Sequence, residues 1–68
     1  MKYKKGQYIR ARAKFHDHME NYLKISSVEH DRLFVENITG AKYFISISYF
    51  WDIEILDIDE MQFKLLAQ

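Results

Sequence analysis

Strict alternation of apolar and polar residues near the start of the chain limits its fold more than any other feature. Residues 8–15 divide into an apolar set and a mainly cationic set: Ile9, Ala11, Ala13 and Phe15 against Tyr8, Arg10, Arg12 and Lys14. A period of two is typical of a β-strand with one face in a core, whereas apolar residues of a helix recur every three or four positions. Residues 8–15 are therefore predicted to form a half-buried strand.

Four further segments have the composition of strands and are separated by short polar turns. They cover residues 22–29, 32–38, 42–48 and 52–58. Gly40 can adopt the positive φ that the turn before the fourth strand requires. The apolar residues 49–51 have no period, which predicts a bend between the last two strands.

The end of the chain has the pattern of a short helix. Asp57 or Asp59 is predicted to cap a helix over residues 60–67, because a carboxylate can accept hydrogen bonds from the first free amides of a helix. The apolar residues of that segment are expected to pack against the strands: Met61, Leu65 and Leu66.

Chain length restricts how the strands can assemble. The chain has 68 residues, of which 49% are hydrophobic, and no cysteine to form a disulfide. Five short strands are too few for two ordinary packed sheets, but they can bend into one barrel, which also removes exposed edges. The predicted fold is all-β: a small five-stranded antiparallel barrel or strongly bent sheet, with a short C-terminal helix.

A single domain is predicted over residues 1–68, because the sequence has no Gly/Ser/Pro linker and no internal repeat. Within it, residues 1–6 are predicted to be a flexible basic arm, residues 7–58 the barrel and residues 59–68 a helical tail. No apolar run approaches the roughly 18–20 residues that cross a bilayer, and the basic start does not lead into a signal-peptide stretch. These features predict a soluble, cytoplasmic protein.

The order of strands and turns over residues 7–58 resembles the small barrels of the Sm-like and SH3-like families. Residues 44–48 and 53–56 resemble their last two strands. The Asp and Asn of the Sm RNA-contacting loop, the Arg-Gly of its second motif, and the acidic loop and proline-binding aromatic pair of SH3 domains have no counterparts here. The resemblance therefore implies a fold and no functional residues.

Charge is distributed unevenly along a chain that is neutral as a whole. Residues 1–14 carry six cations and no carboxylate: Lys2, Lys4, Lys5, Arg10, Arg12 and Lys14. The remaining four cations and ten carboxylates give the rest of the chain a formal charge of −6. Zero net charge argues against a protein that coats polyanions, but it leaves open a local basic surface.

Two interpretations of the basic first strand remain open. A ridge of cations beside an aromatic ring could bind single-stranded nucleic acid through phosphates and stacked bases, and its residues would be Lys4, Lys5, Tyr8, Arg10, Arg12 and Lys14. Alternatively, the first and last strands pair, which sets these cations beside Asp52 and Glu54 and fixes the register. The second interpretation is favoured, because it also accounts for the acidic end of the chain.

The aromatic residues predict a protein interface. Phe44 lies out of register with its apolar neighbours, and Tyr49, Phe50 and Trp51 are three consecutive rings, of which a strand can turn at most two to one face. An exposed ring is a favoured anchor of protein contacts. Trp51 could equally fill the open end of the barrel, because large aromatics often dominate small cores.

Catalytic and metal sites have little support in the sequence. No Gly-rich phosphate loop, nucleophile elbow or catalytic triad spacing is present. His16 and His18, with Asp17 and Glu20 nearby, could share an ion, but structural zinc normally takes four ligands, so a solvated polar turn is favoured. We predict no enzyme activity, metal, cofactor or small-molecule substrate.

The function predicted from these residues is a non-catalytic interaction module. It would bind a protein partner or another copy of itself through Phe44, Tyr49, Phe50 and Trp51, and act as a regulator, adaptor or inhibitor. The alternative is a nucleic-acid-binding barrel that uses the first strand.

Overall fold

The computed structural model describes residues 2–15, 20–48 and 50–66. Within these ranges the chain forms five strands and one helix: β1 (Tyr8–Ala13), β2 (Glu20–Glu29), β3 (Arg32–Asn37), β4 (Lys42–Ser46), β5 (Trp51–Leu56) and α1 (Glu60–Leu65). Every neighbouring pair of strands is antiparallel. This confirms the predicted fold class.

The strands form one sheet in the order β4-β3-β2-β1-β5. The first four strands follow one another as a meander, and the chain then returns so that β5 pairs with the remaining side of β1. The predicted pairing of the first and last strands is therefore confirmed. The sheet is not closed, because β4 and β5 are its two edges, so it is the strongly bent sheet of the two predicted forms.

One face of the sheet contains the core. Its buried members come from β1 to β4: Ile9, Ala11, Leu23, Ile25, Leu33, Val35 and Ile45. Half-buried side chains pack around them: Tyr3, Val28, Tyr43, Ile47, Trp51 and Ile53. A single sheet can bury one face only by bending around it, and each large aliphatic side chain that is fully buried contributes about 1.5–3 kcal/mol.

A bulge in β2 provides part of the bend. The register shifts between Ile25 and Ser27, which makes Ser26 the extra residue. The Ile25 N–H donates to the Gln7 carbonyl (2.8 Å), and the Gly6 N–H donates to the Ile25 carbonyl (2.8 Å). A bulge bends its strand and increases its twist, which directs β2 around the core.

The segment before β1 is anchored to the sheet. Tyr3 packs against the core, and the Lys4 N–H donates to Gln7 Oε1 (2.7 Å). Gly6 adopts a φ of 91°, a conformation that favours glycine. Within the segment predicted to be a flexible basic arm, residues 1–6, Tyr3 to Gly6 thus form a hydrogen-bonded turn beside the bulge of β2.

Several strands end earlier than predicted. β1 ends at Ala13, and Lys14 and Phe15 belong to the turn that follows it. The prediction that Phe15 faces the core is wrong, since its side chain is 68% exposed. The alternation of apolar and polar residues in the sequence continues two residues past the end of the strand. β4 likewise ends at Ser46 and β5 at Leu56, two residues before their predicted ends.

The predicted helix is confirmed, but its packing differs from the prediction. Asp59 is the N-cap: its side chain accepts from the Gln62 N–H, and the Gln62 side chain accepts from the Asp59 N–H. Phe63 alone is buried, with its ring 4.8 Å from that of Tyr8. Met61 and Leu65 are 73% and 58% exposed, because so short a helix turns few residues toward the sheet. Leu66 is also exposed.

Among the described residues, the helical segments are too short and too polar to cross a bilayer.

Candidate functional site

Opposite charges face each other across β1 and β5. In the register of the two strands, Arg10 lies opposite Glu54 and Arg12 lies opposite Asp52. Arg10 Nη2 is 2.8 Å from Glu54 Oε1, and both side chains are about half exposed. The cross-strand pairing predicted from the charge distribution is thus present in the structure.

These four side chains line a shallow depression of about 150 Å³. Sites for small molecules usually enclose about 300–1,000 Å³ and are mainly apolar. An exposed ion pair contributes only about 0.2–1 kcal/mol, so its main effect is to fix the register of β5 on β1. The depression is therefore better explained by the pairing of β5 with β1 than as a ligand pocket.

The residues predicted to bind nucleic acid do not form one open cationic ridge. Lys4 and Lys5 lie in the turn before β1, and Lys14 lies after it, at the other end of the strand. Between these two ends of β1, Arg10 and Arg12 lie opposite the carboxylates of β5.

The aromatic member of that predicted set is also covered. Tyr8 is 8% exposed, because Phe63 of α1 packs on its ring. Lys24 Nζ lies 5.8 Å from the ring centroid. The prediction of an exposed tyrosine beside the cations is wrong, since the polar side of β1 is also the side on which the helix docks.

Phe15 and Phe50 form an exposed aromatic pair at the far end of β1. Their ring centroids are 6.1 Å apart with an edge-to-face angle of 72°, and the side chains are 68% and 52% exposed. The Lys14 N–H donates to the Phe50 carbonyl (2.9 Å), which attaches the turn before β5 to the turn after β1. We call Phe15 and Phe50 the aromatic pair.

Trp51 has a different environment from Phe50, although the two are neighbours in sequence. It is the first residue of β5, lies opposite Ala13 and packs against the core. Trp51 is thus half-buried against the core, and its role as an interface residue stays a prediction. Tyr49 lies outside the described residues.

Phe44 belongs to a separate aromatic cluster on β3 and β4. It lies opposite Phe34, with ring centroids 4.8 Å apart, and is 44% exposed. The Arg32 guanidinium carbon is 4.0 Å from the Phe44 ring centroid, so a cation covers one side of the ring. Sequence analysis missed Arg32, although its position two residues before Phe34 places it diagonally across from Phe44.

A second depression lies between the helix and the sheet. Its lining combines aromatic, amide and charged side chains: Tyr8, Lys24, Glu36, Asn37, Ile38, Glu60, Phe63 and Lys64. The sequence did not predict this cleft, because it forms only when Phe63 docks on Tyr8. Lys64 is already within 3.7 Å of Glu60, four residues earlier in the helix.

Burial raises the pKa of the Tyr43 phenol above its ordinary value. The described part of the chain contains no group of three or more His, Asp or Glu side chains that could hold a metal ion. His16, Asp17 and His18, considered above as ligands, lie outside the described residues, as does the side chain of Glu20.

Comparisons of the chain with known protein families, with curated proteins and with solved structures give no match.

Proposed function

We propose that the chain is a non-catalytic protein-binding module of the Sm-like or SH3-like barrel type, acting as a regulator, adaptor or inhibitor. Its contact surface includes the aromatic pair. The observation that carries the proposal is the exposure of these two rings, 68% and 52%, in contact with each other and outside the core.

Exposed, adjacent phenylalanines are costly to leave in water and effective when a partner covers them. Aromatic anchors that enter a partner's pocket supply most of the energy of many protein interfaces. The hydrogen bond from the Lys14 N–H to the Phe50 carbonyl joins the two backbone segments that carry the rings, so less backbone entropy is lost when they bind. Both features favour protein contact over a purely structural role.

The strand order supports the barrel assignment within this proposal. A meander of four strands followed by a last strand on the first is the order expected for the small barrels that the sequence resembles. The charge arrangement favours protein over nucleic acid as the partner, because carboxylates face Arg10 and Arg12 and a helix covers Tyr8.

Partner capture from the native host tests the proposal. The full chain and its Phe50→Ser variant are used as baits, and the bound proteins are identified by mass spectrometry. Met61→Ser is the matched control, since Met61 is also an exposed apolar residue, at 73%, but lies on α1. We expect one specific partner, or a second copy of the chain, to be lost with Phe50→Ser and retained with Met61→Ser.

Sedimentation of each variant separates the two kinds of partner, because self-association raises the mass of the purified protein. Retention of every partner by Phe50→Ser, with an unchanged sedimentation profile, would refute a contact surface at the aromatic pair.

A further inference from the structure

β5 has one side bonded to β1 and one side facing away from the sheet. In an antiparallel pair, residues alternate between those that bond to the partner strand and those whose N–H and C=O point the other way. The hydrogen bond from the Lys14 N–H to the Phe50 carbonyl shows that Lys14 and Phe50 are a bonded pair. The same alternation makes Asp52 and Glu54 bonded partners of Arg12 and Arg10.

The hydrogen bonds between β1 and β2 show the same alternation. The Ile25 N–H donates to the Gln7 carbonyl, so the odd-numbered residues at β1 bond to β2 and the even-numbered ones bond to β5. It follows that the backbone groups of Trp51, Ile53 and Ile55 point to the outer side of β5. The Trp51 N–H donates to Ser48, so the free groups are centred on Ile53 and Ile55.

No described strand lies on that outer side, because β5 is the last strand in the sheet order. Rows of unpaired N–H and C=O groups are templates for another extended chain, and β-strand addition is a common mode of peptide recognition. Ile55 is 37% exposed at this edge, so apolar surface is available beside the backbone groups.

The side chains of β5 indicate what kind of chain would pair there. β1, which already pairs with β5, has the sequence YIRARA, in which apolar residues alternate with cations. Its arginines face Asp52 and Glu54, whose side chains stand on the outer face of the sheet. A carboxylate has enough lone pairs to accept hydrogen bonds from a guanidinium on each side.

We propose that the outer edge of β5 binds an extended segment of a partner protein in which cationic and apolar residues alternate. The inference rests on the proposed function and names the class of partner. The cations lie beside Asp52 and Glu54, the apolar residues lie beside Ile53 and Ile55, and the backbone of the segment bonds to those two isoleucines. The C-terminal end of an antiparallel segment then lies near Phe50.

The opposite edge strand, β4, lacks the carboxylates that would pair with a cationic segment. The outer-face residues of β4 are Lys42, Phe44 and Ser46, which include a cation and no carboxylate. The guanidinium of Arg32 already lies over Phe44. A cationic segment is therefore repelled at β4 and attracted at β5, so charge selects the edge.

The test uses the full chain and a fluorescein-labelled, capped nine-residue peptide of alternating Arg and Val, followed by anisotropy. We expect saturable binding that weakens as salt rises, and binding at least about tenfold weaker for the same peptide with Glu in place of Arg. A peptide N-methylated at every second amide, on the edge that meets β5, loses its backbone donors and should also bind at least about tenfold more weakly. These peptide comparisons leave the protein unaltered.

Edge variants locate the site. Ile55→Pro removes an N–H that points away from β1, a position at which edge strands tolerate proline. It should weaken binding of the Arg/Val peptide about tenfold, whereas Ile55→Ala, which keeps the N–H, should weaken it much less. Lys42→Pro, the matched change at the edge of β4, should leave binding unchanged.

Equal binding of the Arg and Glu peptides, or loss of binding with Lys42→Pro and not with Ile55→Pro, overturns the proposal. So does a wild-type chain whose β5 edge is occupied by a second copy in solution. If the peptide does not bind although partner capture still depends on Phe50, the edge inference fails and the proposed function stands.

Discussion

Two neighbouring aromatic residues divide the roles of core and contact surface. Trp51 packs against the core at the start of β5, and Phe50, one residue earlier in the preceding turn, is 52% exposed. The division falls at the boundary between the turn and the strand. Substitution of each residue should therefore have a different consequence.

We expect Trp51→Ala to lower the free energy of unfolding by about 2–4 kcal/mol, because it leaves a cavity beside the core. Phe50→Ala should cost about 1 kcal/mol or less, because its side chain is 52% exposed. Urea unfolding of both variants measures the difference. Equal losses for the two variants would contradict the assignment of Trp51 to the core and Phe50 to the surface.

The phenol of Tyr43 should make the free energy of unfolding depend on pH in the alkaline range. Burial raises the pKa of its phenol in the folded protein, so the neutral form is favoured there relative to the unfolded chain. A raised pKa contributes stability that is present below the unfolded pKa, about 10, and is lost as pH rises through the folded value. Tyr43→Phe cannot ionise, so its stability should fall less above about pH 10.

Thermal unfolding of the wild type and Tyr43→Phe at a series of pH values checks this expectation. Curves that remain parallel through the alkaline range would show that the phenol at this position ionises equally well in the folded and unfolded states.

At the scale of elements, the pairing of β1 with β5 determines the charge of the outer face. The arginines of β1 meet carboxylates in register, and the Arg10–Glu54 ion pair is formed at 2.8 Å. The pairing lowers the positive potential that a nucleic acid would require. The same carboxylates attract a cationic segment to the outer edge of β5.

The double variant Asp52→Asn/Glu54→Gln tests whether these two carboxylates control the charge of the outer face. The double variant loses two negative charges opposite Arg10 and Arg12, so it should bind a labelled single-stranded oligonucleotide more tightly than the wild type and with a steeper dependence on salt. The loss of two exposed charge pairs should cost about 2 kcal/mol of stability at most. Identical salt dependence in the two proteins would mean that the carboxylates do not control this surface.

At the scale of the whole molecule, the fold follows from local patterns and the site from contacts between distant parts of the chain. The alternation over residues 8–15 and the glycine turn at Gly40 predicted the strands, and opposite charges predicted the pairing of β1 with β5. The burial of Tyr8 could not be predicted in the same way. It depends on Phe63, whose ring contacts Tyr8 because of where the short helix α1 docks on the sheet.

The aromatic pair shows the same limit. The sequence marked Phe50 as an interface residue but placed Phe15 in the core, because alternation alone does not reveal that the strand ends at Ala13. The open edge of β5 was also beyond the pattern, since the same five strands could close into a barrel or remain open. That choice depends on how far the sheet bends, a property of the assembled molecule.

Amide hydrogen exchange of the free protein, measured by NMR, tests the central claim that β5 is bonded to β1 on one side and open on the other. The account predicts slow exchange at Asp52 and Glu54, whose N–H groups bond to β1, and exchange at least about tenfold faster at Ile53 and Ile55. Slow exchange at all four residues would contradict it, because the outer edge would then already be covered in solution.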